Sequence, residues 1–183
     1  MVTQAPCVIT VCADVHRFSM WCEQRDAEPC YDNFAWFLNG VTDALLAAQN
    51  LCVEAEAHGL GICYLGTTIY TAEEIARILD LPKGVIPVTT IVVGHPDESP
   101  ELTDRLPLEA VVHYEKYTDY TAAEIDELWA EREESELTKR LLAENGLPNL
   151  AQVFTQRRYV RKDNLAISES YFALLKEKGF FNN

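Results

Sequence analysis

Four cations stand together in RRYVRK, namely Arg157, Arg158, Arg161 and Lys162, in a chain whose formal net charge is -14. Guanidinium forks match the paired oxygens of phosphate and stay charged at physiological pH, so the island suits an anion clamp. A solvated turn between helices explains it equally well. Arg105, in a stretch without periodicity, admits the same two readings. Gly66 closes an apolar run, and a glycine at a strand end lets backbone amides approach a ligand closely. The surrounding GLGICYLG, Gly59 to Gly66, is not a dinucleotide fingerprint. That motif must follow a strand and open a helix, whereas these glycines close a helix and precede a strand. His16, His58, His95 and His113 are scattered, and no serine lies in a G-x-S-x-G elbow, so no triad is legible.

The elements that must hold these residues belong to a chain of 183 residues, 48% hydrophobic and 24% charged, enough for one globular domain with a sizeable core. The acidic balance speaks against nucleic acid and against anionic membranes, since both need a cationic surface. No apolar run approaches the ~20 residues of a bilayer span. Met1 to Pro6 lacks the pattern of a signal peptide. The six cysteines show no C-x-x-C pair and no zinc spacing, and four of them (Cys7, Cys12, Cys52 and Cys63) sit in apolar segments. A reduced, cytoplasmic protein is expected.

Cys7–Ala13 reads as a strand buried on both faces, and Val15–Asp26 as a short helix or ordered loop. From Asn33 to His58 runs a long helix. Its stripe of Val41, Ala44, Leu45, Ala48, Leu51, Cys52 and Ala55, widened by Leu46, Ala47 and Val53, suits a core or a subunit interface. Gly59 is placed to cap it. Strands are expected over Leu60–Leu65 and Ile86–Gly94. Thr71 with Glu74, and Thr121 with Glu124, have capping-box spacing. The second box opens an acidic helix that can continue to Asn145. Pro100–Pro107 reads as irregular, and Val111 with Val112 as a short extended piece. Further helices are expected over Asn149–Gln156 and Asn164–Lys178. The order of elements indicates α/β or α+β, as one domain over 1–183: a core of 1–118 and a helical extension of 119–183.

Three stretches together resemble the nitroreductase family. They are GVTDALLAAQNLCVEAEAHGLGICYLG (Gly40 to Gly66), LDLPKGVIPV followed by TIVVGHPDESPELTDRLP up to Pro107, and the tail VFTQRRYVRKDN with its final helix. The resemblance implies an α+β fold of three layers, with a mostly antiparallel central sheet flanked by helices, in an intertwined homodimer holding FMN. It places Tyr64, Leu65, Gly66 and Thr67 near the flavin ring and Arg105 at its phosphate. A second cation of that clamp is replaced here by Thr103. The tail resembles a stretch implicated in NADPH phosphate recognition, which offers Arg157, Arg158 and Arg161 as candidates.

The family's Arg-rich opening segment and the S-x-x-N-x-Q-like stretch after it have no counterpart here, so the N-terminal part of the family pattern is missing. By resemblance, the expected activity is ping-pong transfer of hydride from NADPH or NADH through FMN to a nitroaromatic, a quinone or free flavin. No side chain need act as an essential acid or base, because the cofactor carries the chemistry. Two alternatives stand beside this: a truncated, inactive fragment that docks through its apolar helix, and a flavin-binding module without reductase activity.

Overall fold

The computed structural model describes residues 4–100 and 102–182. The expectation for Met1 to Pro6 falls in part on residues 1–3, which lie outside the described residues. The chain divides into two compact units, one of Met1–Ser99 with Leu165–Asn183 and one of Pro100–Asn164. This partition differs from the expected 1–118 and 119–183, because the last helix contributes its later turns to the first unit.

In the first unit three strands form an antiparallel sheet in the order β1-β3-β2, with β1 at Cys7–Asp14, β2 at Gly61–Leu65 and β3 at Val85–Gly94. The fold is α+β. β3 is the central strand, and Ile86 and Ile91 are fully buried. β1, expected to be buried on both faces, is an edge strand with Cys7 and Val8 exposed. A run of β-branched residues reports strand propensity but cannot say which strand lies centrally. Pro87, which has no N–H to give to the ladder, sits where the register shifts between Val11 and Cys12. A proline within a sheet is tolerated at such a bulge.

The helices of this unit are α1 (His16–Glu23), α2 (Phe34–Ala57), α3 (Ala72–Ile78) and the later part of α7 (Arg161–Glu177). Asn33 caps α2 through its side chain, which accepts from the Trp36 amide at 3.3 Å. At the other end Gly59 takes φ +74° while the amides of Gly59 and Leu60 donate to Glu56 and Ala55. That is the paired-bond closure a left-handed residue permits. Ala48, Cys52 and Ala55 of α2 pack with Ile91 and Val93. A second cluster joins Ala13 and Ile86 to Phe37, Ala72, Ala76, Leu174, Leu175 and Phe180.

α2 is not buried all round. Leu38, Leu45, Leu46 and Val53 are exposed, Leu46 to 63%. Phe37, Ala44, Ala48, Cys52 and Ala55 face the core while these four residues face outward, which composition alone cannot separate. The expected box at Thr71 does not form. Thr71 makes no side-chain cap because a 3-10 turn over Thr68–Thr71 runs directly into α3.

The second unit holds α4 (Ala122–Glu134), α5 (Glu136–Asn145), the short α6 (Leu150–Val153) and a π turn over Phe154–Arg158. The Thr121–Glu124 box is complete. The expected continuous helix breaks at Ser135, an extended residue that ends α4 and caps α5 by accepting from the Thr138 amide. Val111 and Val112 follow a 3-10 turn over Leu108–Ala110 and form no extended piece. The described residues between Pro100 and Pro107 lack regular structure. Among the described residues, no helix is long and apolar enough to cross a membrane.

Candidate functional site

In the first unit β2 ends at Leu65, paired with Thr90 of β3. The buried Thr68 hydroxyl donates to the Leu65 carbonyl at 3.0 Å, and the Tyr70 amide donates to Thr67 at 2.9 Å. These bonds fix the turn after the strand, and the sequence reading missed Thr68. A buried threonine one turn past a strand end is the signal that was available. Gly66 and Thr67 are exposed, and a Cβ added at Gly66 would meet nothing within 4 Å. The backbone there is open to a flat ligand, as a site beyond a strand end requires.

Tyr64 behaves differently from its neighbours. Its hydroxyl lies 3.4 Å from Gln49 Oε1 on α2, and contact with the Cys52 thiol, followed by burial, pushes the phenol up to about 12. The hydroxyl contact ties the side chain to α2. Tyr64, Gly66 and Thr67 are all exposed at this strand end.

The second unit carries the candidate cations. Arg105 Nη1 donates to the carbonyls of Thr103, at 3.3 Å, and Asp104, at 2.9 Å, and also to the Thr103 hydroxyl. The residue that replaces a cation in the resemblance thus supplies acceptors that hold Arg105 against its own loop. Asp104 is paired with Arg132 Nε at 2.8 Å.

Arg157 and Arg158 lie in the π turn, closed by the Tyr159 amide donating to the Phe154 carbonyl at 2.7 Å. Single π turns are rare and recur at functional sites, and nothing in the sequence reading announced this one. Arg158 stands 5.7 Å over the Phe154 ring, which is stacked 6.0 Å from Tyr159. Arg161 opens α7, and the Asn164 side chain donates to the Tyr159 carbonyl. Arg157, Arg158 and Arg161 are all exposed, and among the described residues none forms an ion pair.

His58 and His113 take up local contacts. His58 lies 2.9 Å from Glu54 on the same helix. His113 Nδ1 accepts from the Thr118 amide while its Nε2 lies 3.3 Å from the Tyr120 hydroxyl. The six cysteines are free thiols.

Comparison with known proteins gives concordant results. The model of the Nitroreductase family matches residues 1–95. A solved candidate oxidoreductase from Bacteroides fragilis NCTC 9343 superposes with a TM-score of 0.96 at 48% identity, over 99% of this chain and 74% of that one. The B. megaterium protein NfrA2 superposes at 0.78 with 31% identity, over 100% of this chain and 72% of that one. An FMN reductase (NADPH) of Bacillus subtilis (strain 168) is 35% identical over 108 residues, which cover 58% of this chain and 43% of that protein. The chain spans less than half the length of the curated relatives it matches.

Proposed function

The chain belongs to the nitroreductase family, and on that premise we propose that it acts as an FMN-dependent oxidoreductase taking hydride from NADPH or NADH. Nitroaromatics, quinones or free flavin are the proposed acceptors. The observation that carries this reading is the open strand end at Gly66 and Thr67. FMN, when bound, supplies the hydride and electron transfer.

The roles of the chain's own residues follow from their chemistry. Leu65, Gly66 and Thr67 give a fixed backbone edge for the flavin ring, and Tyr64 keeps that edge seated on α2. Arg105 is the candidate for the FMN phosphate, and binding there must replace its bonds to Thr103 and Asp104. Arg157, Arg158 and Arg161 are candidates for the NADPH phosphate, where an unpaired guanidinium gives two parallel charge-assisted bonds. All of 1–183 is taken as one nitroreductase-like domain, acting in the cytoplasm.

A homodimer through α2 is part of the proposal, supported by an apolar helix face of a kind unusual on a monomer. The same face favours a second reading, a chain that associates through Leu38, Leu45, Leu46 and Val53 and does not retain FMN. A visible absorbance spectrum before and after adding FMN and desalting separates the two. A retained flavin band with NAD(P)H oxidation supports the reductase, and steady-state plots should then give parallel lines. A colourless protein that elutes as an oligomer supports the second reading.

A further inference from the structure

Where β1 passes into α1, a cavity of about 240 Å³ opens in the first unit, lined by Asp14, Phe18, Tyr31, Trp36, Gly40 and Asp43 among others. Phe18 and Tyr31 meet edge to face with centroids 4.9 Å apart, and Tyr31 and Trp36 do so at 4.5 Å. The three rings therefore form one continuous aromatic wall. Phe18 and Trp36 remain substantially exposed although they are large and apolar.

Two carboxylates, Asp14 and Asp43, line the same cavity. Trp36, Gly40 and Asp43 follow helical spacing along one stripe of α2. Gly40 lets that stripe approach β1 closely, since a Cβ there would stand 3.1 Å from the Ala13 Cβ. The close approach sets Asp43 beside the same cavity as Asp14. The Asp14 carboxylate is held by its Oδ1, which accepts from the amides of His16 at 2.9 Å and Arg17 at 3.2 Å. Among the described residues, no cationic side chain lines the cavity.

We propose that this cavity is a binding site for a small organic cation, an ammonium head carrying methyl or methylene groups. Aromatic faces carry negative quadrupolar charge and attract such heads, more strongly when water is displaced. The two carboxylates supply the sign, and the rings supply an apolar surface that a bare metal ion could not use. The volume lies below the ~300–1,000 Å³ of drug-sized pockets, so it takes a head group and leaves any tail in solvent. The site is independent of the flavin reading, and either can fail alone.

The test is a titration of the ¹⁵N-labelled chain with tetramethylammonium chloride at constant ionic strength, following the Trp36 indole N–H, assigned with Trp36→Phe. Neutral tert-butanol, of similar shape, is titrated in parallel. A saturable Trp36 shift with the cation, much weaker with the alcohol, is expected. Asp43→Asn, a change at an exposed residue, should weaken binding by about two- to fivefold, the order of one exposed ion pair. Trp36→Leu should abolish the broadening of the ligand methyl signal. No saturable shift, equal binding of the alcohol, or an Asp43→Asn variant that binds as the original does would each overturn the proposal.

Discussion

The two units are built on opposite principles. In the first, β3 is buried along nearly its whole length, and α2, α3 and α7 close over it with alanine, phenylalanine and leucine. In the second, Thr138, Leu150 and Val153 are the buried residues among those described, and order comes from caps. Thr121, Ser135 and Asn149 each accept a backbone amide, and Gly146 closes α5 at φ +62°. Burial of apolar area scales with the side chains removed from water, whereas each cap is worth about 1 kcal/mol. The candidate cations Arg105, Arg157, Arg158 and Arg161 all belong to the lightly buried unit. The fold is thus specified in one region and the charge-bearing chemistry is displayed on another.

The contrast breaks first in the core. Ile91→Ala should lower global stability by about 2–5 kcal/mol, read from denaturant unfolding, because the cavity lies in the most buried strand. A loss below 1 kcal/mol would mean that the core tolerates collapse and that the units are more alike than described. The next effect is on binding. Replacing Arg157, Arg158 and Arg161 together by alanine should reduce the kcat/KM preference for NADPH over NADH by about 10- to 100-fold, the worth of hydrogen bonds to a charged group. Unfolding should be nearly unchanged, and an unaltered cofactor preference would make the island a solvated turn.

A smaller effect is expected at a cap. Thr121→Ala should cost about 1 kcal/mol in local stability, seen as faster hydrogen exchange at the start of α4 but not in β3. The smallest effect concerns acid. The Thr121 backbone amide, then its hydroxyl, hold the Glu124 carboxyl below its usual range. A carboxyl depressed in the folded state contributes stability above its unfolded value, and that contribution is lost as pH falls through the folded value. Circular dichroism should show α4 fraying only below the ordinary carboxyl range, and Glu124→Gln should flatten that dependence.

Much of the first unit was legible. Asn33, the alanine stripe and Gly59 bracket α2 nearly to the residue, and β2 and β3 follow from their apolar runs. Strand rank was not legible, since CVITVCA would suit a central strand as well as an edge. The Thr121 box formed and the Thr71 box did not, although the spacing is identical. What differs is the preceding backbone: Thr121 is extended at ψ 162°, whereas Thr71 has already entered a turn. The break at Ser135 turns on one residue's ψ and leaves no periodic trace. At the candidate site, residues 64–67 read as one stretch, and only side-chain geometry separates Tyr64 from the open glycine.

The closure of the first unit depends on the last turns of the chain. Phe180 is fully buried, the Gly84 amide donates to the Lys178 carbonyl at 2.8 Å, and Lys178 Nζ donates to the Leu81 carbonyl. On a ribosome, residues 7–94 would emerge with one wall of their core absent, and pairings so distant in sequence are slow to form. The intervening 65 residues from Pro100 to Asn164 must be made before Phe180 can arrive. Until then Ile86 and Phe37 stay incompletely covered, and such transiently exposed apolar surface is where a nascent chain is prone to aggregate.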